Sequence, residues 1–282
     1  MKKVAIVTGA TRGIGKVTAL TLAAHGFAVV VMGRTQYAGD GSVGVGEPVP
    51  GSIEETVAAI DATGGTALGV RFDLLDRASI DAALDAAIAH FGRIDILVNN
   101  AIYQGPGTMD RIADFTMQQA EDNFAGSLIN QIYISRKAIT SMPPGGGRVV
   151  FVSSGAAVAE PTPGEGLLYS AAKAALNRVP AFINLEYASE GILAFLVEPQ
   201  FTLTDSMQAR WGDDAVRAIG GGHPPRRPEE TANTIAWLCT SPNAARFANG
   251  EMLNAPDFFA IYEISDYDSV IASEYRTDDQ AT

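Results

Sequence analysis

The chain of 282 residues has one cysteine, Cys239, and three histidines, His25, His90 and His223. A lone thiol excludes an internal disulfide and any site built on several cysteines, and histidines this far apart offer no zinc-ligand spacing. No metal is expected. Cys239 itself reads as a small core residue. Basic residues are in deficit, 20 Lys plus Arg against 32 Asp plus Glu, for a net charge of −12. An acidic chain repels a phosphate backbone and an anionic lipid surface, so neither nucleic acid nor membrane is an expected partner. Long apolar runs are missing too. After Met1-Lys2-Lys3 comes only Val4–Val7 before Thr8-Gly9 breaks the run, whereas a signal peptide needs a longer stretch and a spanning helix needs about 20 residues. A reduced, cytoplasmic protein is the expectation.

What the sequence has is alternation. Short β-branched runs at Val4–Val7, Ala28–Met32, Ala67–Phe72, Ile94–Val98, Arg148–Ser153 and Ile192–Val197 read as strands, with a short seventh near Glu251–Leu253. Between them lie helix-period stretches at Ile14–His25, Ser52–Thr63, Arg77–Phe91, Met109–Glu121, Asn123–Ser141, Leu167–Tyr187 and Pro228–Cys239. The strands alternate little, as when both faces of a sheet are covered. The predicted fold class is therefore α/β, a Rossmann-like doubly wound parallel seven-stranded sheet with helices on both faces. The alternation has no composition break, so residues 1–256 are read as one domain. Residues 36–51, with five glycines and two prolines, read as an insertion loop, taken as disordered. Residues 201–228 read as an excursion on the substrate side holding a short helix. Residues 257–282 carry seven carboxylates against Arg276 and read as a solvated acidic tail.

Two clusters carry chemistry. Thr8-Gly9-Ala10-Thr11-Arg12-Gly13-Ile14-Gly15 falls between the first strand and first helix. Its glycines let backbone approach a diphosphate, and the helix N-terminus supplies free N–H groups and partial positive charge. Tyr169-Ser170-Ala171-Ala172-Lys173 places a phenol and an ammonium at i and i+4 on one helix face. A nearby ammonium is expected to lower the phenol pKa, and such a pair can give a proton to a developing alkoxide or take one from an alcohol. A hydroxyl at Ser154 could hold the substrate oxygen, with the adjacent Ser153 as the fallback.

These motifs together resemble the short-chain dehydrogenase/reductase family over roughly residues 2–254. The glycine spacing matches its signature, and Asn99-Asn100-Ala101 resembles its Asn-Asn-Ala-Gly motif. The resemblance implies a catalytic set of Asn123, Ser154, Tyr169 and Lys173, with Lys173 also on the nicotinamide ribose and Asn123 anchoring a water relay. It implies cofactor contacts from Gly9, Thr11, Arg12, Gly13, Ile14, Gly15, Arg34, Asp73 and Leu74 at the diphosphate and adenosine end. Nearer the nicotinamide it implies Asn100, Ala101, Tyr169, Lys173, Pro199, Thr202 and Thr204. No acid follows the second strand in Val31-Met32-Gly33-Arg34-Thr35. Arg12 and Arg34 can pair with a 2′-phosphate, so NADP(H) is expected over NAD(H).

The sequence departs from the family where Ile102 and Gln200 replace glycines and where Asn254-Ala255-Pro256-Asp257 replaces Val-Asp-Gly-Gly. Ser154 and Tyr169 are also two residues further apart than usual, with residues 161–166 absorbing the difference. Pro180 lies inside the Leu167–Tyr187 pattern and should bend it beyond Lys173. Ile102, Tyr103, Leu167, Phe201, Met207 and Trp211 suggest an apolar or aromatic pocket. The expected reaction is interconversion of a ketone or aldehyde and an alcohol on a small molecule, by a homodimer or homotetramer. A 3-oxoacyl-carrier reductase and an inactive nucleotide-binding scaffold are the alternatives.

Overall fold

The apolar strands of this chain have no polar face, and the fold covers both of theirs. A computed structural model describes residues 2–43, 47–162, 164–208 and 225–262. Seven strands form a parallel sheet: β1 (Val4–Thr8), β2 (Ala28–Gly33), β5 (Thr66–Arg71), β6 (Ile96–Asn99), β7 (Gly147–Val152), β8 (Ile192–Glu198) and β9 (Met252–Asn254). Their order is β5-β2-β1-β6-β7-β8-β9. Successive residues of a strand point to opposite faces. Ala5 and Val7 of β1 therefore join one core, beneath α1 (Gly13–Ala24), α2 (Ile53–Ala62) and α8 (Pro228–Thr240). Val4 and Ile6 join the other, beneath α3 (Arg77–Phe91), α5 (Asn130–Ile139), α6 (Leu167–Leu176) and α7 (Val179–Tyr187). The strand order reverses between β1 and β6, and ligands of such sheets bind at the carboxyl ends of the strands at that point.

Four expectations are corrected. The insertion is ordered in its described part: β3 (Ser42–Val43) pairs antiparallel with β4 (Glu47–Pro48), and the Val49 N–H donates to the Gly41 carbonyl at 3.0 Å. The helix expected over Met109–Glu121 starts later, as α4 (Met117–Phe124), because Thr116 and Gln119 form a reciprocal capping box there. It runs on into α5 through a π-helical turn, Ala125–Ile129, which begins two residues after Asn123. The stretch Leu167–Tyr187 is two helices, since Pro180 has no N–H to continue the ladder and instead sits in the first turn of α7. The boundary expected at residue 257 falls inside α9 (Ala255–Ile261), whose Phe258, with Tyr262 beyond it, packs on Trp237 at ring distances of 5.1 and 5.4 Å. Trp211, His223 and the tail carboxylates beyond Asp257 lie outside the described residues.

Candidate active site

The glycine turn is built around Thr8. Its Oγ1 donates to the Val98 carbonyl at 3.1 Å and accepts from the N–H groups of Asn100 and Ala101, both at 3.0 Å. Asn100 Nδ2 donates back to the carbonyls of Thr8 (3.0 Å) and Gly9 (3.2 Å). Asn100 and Ala101 thus fix the turn. Gly9 has φ of 66°, and a Cβ at Gly15 would lie 2.3 Å from the Gly9 carbonyl oxygen, so these positions admit no side chain. α1 has no side-chain cap and no acid in its first turn. A dinucleotide diphosphate fits this cradle: bare backbone at Gly9, Gly13 and Gly15, the N–H of Ile14, and the positive pole of α1. Thr11 is buried beside it.

One acid reaches this pole from elsewhere. Asp205 Oδ2 accepts from the Gly13 N–H at 3.0 Å, and Thr204 packs against Gly13. Thr202 is buried, its hydroxyl donating to the Pro199 carbonyl at 2.6 Å.

At the adenosine end the two arginines differ. Arg34 is exposed just beyond β2. Arg12 is committed to the chain itself: its guanidinium donates to the carbonyls of Pro50 (2.8 Å) and Gly51 (3.1 Å) and to Thr35 Oγ1 (3.1 Å). These bonds tie Arg12 to the end of the insertion and to Thr35 after β2. Asp73 caps its own turn, accepting from the Leu75 N–H at 2.9 Å, and Leu74 offers its carbonyl to Asn130. The phenol of Tyr103, expected in the substrate pocket, is raised by burial and by Asp122 and lowered by Arg34, which sets it within electrostatic reach of the adenosine end.

The reacting groups lie at the ends of β7 and α6. The break between α6 and α7 places Asn177 so that its Oδ1 accepts from Ser153 Oγ at 2.5 Å, which removes Ser153 as the fallback. Ser154 is the hydroxyl hydrogen-bonded to Tyr169. The phenol does not follow the expected direction: burial, with Glu198 and Glu165 behind it, raises its pKa, and the Ser154 bond only partly opposes this. Lys173 lies beneath. It is 3% exposed, donates to the Val152 carbonyl at 2.6 Å, and is brought down to about 8 by loss of solvent. Asn123 is wholly buried on the last turn before the π-helix. Its Nδ2 donates to Thr108 Oγ1 at 3.2 Å, while its Oδ1 has no protein partner, as suits a group that holds water.

Three residues escaped the sequence reading. Arg71 pairs in register with Gly33, and its Nε donates to the Arg34 carbonyl at 3.2 Å; only strand register brings it there. Glu198 and Asp205 flank Pro199–Thr204 in sequence, but no spacing rule marks them.

A sequence model described as short chain dehydrogenase matches residues 3–215. The chain is similar to a 3-oxoacyl-[acyl-carrier-protein] reductase of Synechocystis, 33% identical over 89% of this chain and 94% of that one. It is also similar to the hydroxynaphthalene reductase of Aspergillus fumigatus, 29% identical over 90% and 91%. Among solved structures, a dehydrogenase/reductase of Sinorhizobium meliloti superposes with TM-score 0.74 at 28% identity over 89% and 92%. Landomycin C-6 ketoreductase with bound NADP and rabelomycin superposes with TM-score 0.70 at 26% identity over 90% and 94%.

Proposed function

Taking as premise that the chain belongs to the short-chain dehydrogenase family and is an oxidoreductase binding a nicotinamide cofactor, we propose that it reduces the carbonyl of an apolar or aromatic small molecule with NADPH. The observation that carries this reading is the buried group at the ends of β7 and α6: Ser154 hydrogen-bonded to the Tyr169 phenol, Lys173 beneath with its Nζ on the Val152 carbonyl, and Asn123 Oδ1 without a protein partner. A phenol is protonated near neutrality and can donate to a substrate oxygen, the role carbonyl reduction requires.

The bound cofactor supplies hydride. The chain supplies the rest. Gly9, Thr11, Gly13, Ile14 and Gly15 receive the diphosphate at the pole of α1, and Asp73 and Leu74 border the adenosine. Arg34 offers its planar fork to a 2′-phosphate, with Arg71 adding positive charge beside it. Asn100, Ala101, Pro199, Thr202 and Thr204 border the nicotinamide end. Ser154 donates to the substrate oxygen as negative charge builds there, Tyr169 gives that oxygen its proton, and the Lys173 ammonium favours the phenolate left behind. Asn123 Oδ1 holds the water through which the proton is replaced. Exposed apolar side chains at Leu167, at Met109 beside Gly166, and at Val158 offer a greasy rim to the substrate.

Two relatives act on related groups by name, a hydroxynaphthalene reductase and a C-6 ketoreductase. The reductase of an acyl carrier is the second reading, supported by the name of a 33% identical relative. Against it stands the acidity of this chain, because acyl carriers are themselves acidic. Among the described residues no helix is long and apolar enough to cross a membrane. A cytoplasmic homo-oligomer is the state we propose. Fluorescence titration with NADPH and with NADH, followed by NADPH oxidation over a panel of aryl and alkyl ketones, tests the reading. Tighter NADH binding overturns the cofactor preference, and reaction confined to acyl thioesters selects the second reading.

A further inference from the structure

The ladder joining β7 to β8 has its last backbone rung where the Ser153 N–H donates to the Val197 carbonyl at 2.7 Å. Beyond it the two chains diverge. One enters the Ser154 turn and the other the loop from Pro199 to Thr204. A single side-chain atom continues the ladder past that point. Glu198 Oε1 accepts from the Gly155 N–H at 3.1 Å and from the Gln200 N–H at 2.7 Å. Glu198 is 7% exposed.

The loop it holds is strained. Gln200 has φ of 56°, the one non-glycine among the described residues with positive φ. A side chain in that region persists only where its surroundings impose it. Here they do so at both ends of the residue. Its N–H is on Glu198, and its Oε1 accepts from Arg226 Nε at 2.9 Å. Arg226 is itself fastened along the loop: its N–H donates to the Phe201 carbonyl at 2.8 Å, and the Leu203 N–H donates to its carbonyl at 2.9 Å.

We infer that Glu198 is a positioning residue, whose carboxylate locks the Ser154 turn to the loop from Pro199 to Thr204 so that the hydroxyl pair and the nicotinamide-side loop hold one geometry. Burying a carboxyl is costly, and a neutral side chain could satisfy two N–H groups. An ionised acceptor makes shorter, stronger bonds to both. The inference rests on Ser154 and Tyr169 being the reacting pair. The loop it holds also reaches the phosphate turn, where Thr204 packs on Gly13 and Asp205 accepts from the Gly13 N–H, so turnover and cofactor affinity are both read.

The test uses the full chain with Glu198→Ala, Glu198→Asp and Glu198→Gln beside Tyr169→Phe, a ketone that the wild type reduces, and the folded fraction of each variant measured by thermal melting. Glu198→Ala lowers kcat per folded molecule on the order of 100-fold, the scale of a small misplacement at a reacting centre, and the loss in kcat exceeds any loss in NADPH affinity. Glu198→Asp withdraws the oxygen by one methylene and gives an intermediate loss. It is the deciding variant if Glu198→Ala does not fold. Glu198→Gln keeps an acceptor and restores most of the rate. The acids facing Tyr169 are Glu165 and Glu198, and Asp257 faces Glu198. Removing the Glu198 charge therefore moves the phenol-linked limb of the pH profile to lower pH, which a merely structural side chain would not do. Wild-type kcat per folded molecule in Glu198→Asp, with Tyr169→Phe inactive, overturns the inference alone. Full activity in Tyr169→Phe overturns the assignment of the reacting pair beneath it.

Discussion

Asp205 places its carboxylate on the backbone N–H of Gly13 at 3.0 Å, joining the loop after β8 to the N-terminal pole of α1 across 192 residues of sequence. The acceptor stands where the fold otherwise offers its positive end to a diphosphate. Two anions at one helix pole repel. Asp205→Asn is therefore expected to tighten NADPH binding by about threefold to tenfold at low salt, with the gain shrinking as salt screens the pair. Titrations at low and at physiological ionic strength check this. Equal or weaker binding in the variant would show that the carboxylate does not oppose the cofactor.

The two arginines at the adenosine end give different signatures. Arg34 is exposed, whereas Arg12 is spent on Pro50, Gly51 and Thr35. Arg34→Ala should weaken NADPH on the order of tenfold and leave NADH unchanged, since only the former has a 2′-phosphate to lose. Arg12→Ala should weaken both alike by loosening the hairpin. The ratio of the two Kd values in each variant checks this, and a selective loss in Arg12→Ala would return that residue to the phosphate.

Buried Lys173 sets a pH dependence. Its folded pKa is brought down from 10.5 to about 8 by loss of solvent. Between those values the unfolded chain binds the extra proton, so wild-type stability from this group rises as pH climbs from about 8 towards 10.5 and carries its full cost below 8. Lys173→Met has no ammonium to desolvate and carries no such cost. The difference in Tm, variant minus wild type, should move in the variant's favour from pH 10 to pH 7. Paired melts at the two pH values check this, and a difference that ignores pH would contradict it.

The last helix belongs to the core. Phe258 is 3% exposed and packs edge-on against both Trp237 and Phe247 at 5.1 Å. Phe258→Ala should cost about 3–5 kcal/mol of stability and leave the NADPH Kd of the folded fraction unchanged. Denaturant melts with a cofactor titration measure both. A loss under about 1 kcal/mol would mean the site collapses around the smaller side chain.

Much of this was legible in the sequence because the signals are local. Fully apolar runs announce a sheet covered on both faces, and the glycine turn and the Tyr169/Lys173 pair each lie within one short segment. What escaped was of two kinds. Pattern alone overran the caps: Thr116 with Gln119 starts a helix that apolar spacing placed at Met109, and Pro180 divides one that spacing ran together. Contacts between distant segments had no signature. Nothing near Arg12 says that it will meet Pro50. Nothing near Tyr169 says that burial beside Glu198 and Glu165 will outweigh the hydrogen bond from Ser154.

The central claim is that Tyr169 gives the proton, and Tyr169→Phe tests it most directly. With a ketone that the wild type reduces, the variant's kcat should fall by ~1,000-fold or more, in the upper range of general acid catalysis, while its NADPH Kd stays within about threefold. Turnover near the wild-type rate, at unchanged cofactor affinity, would contradict the account.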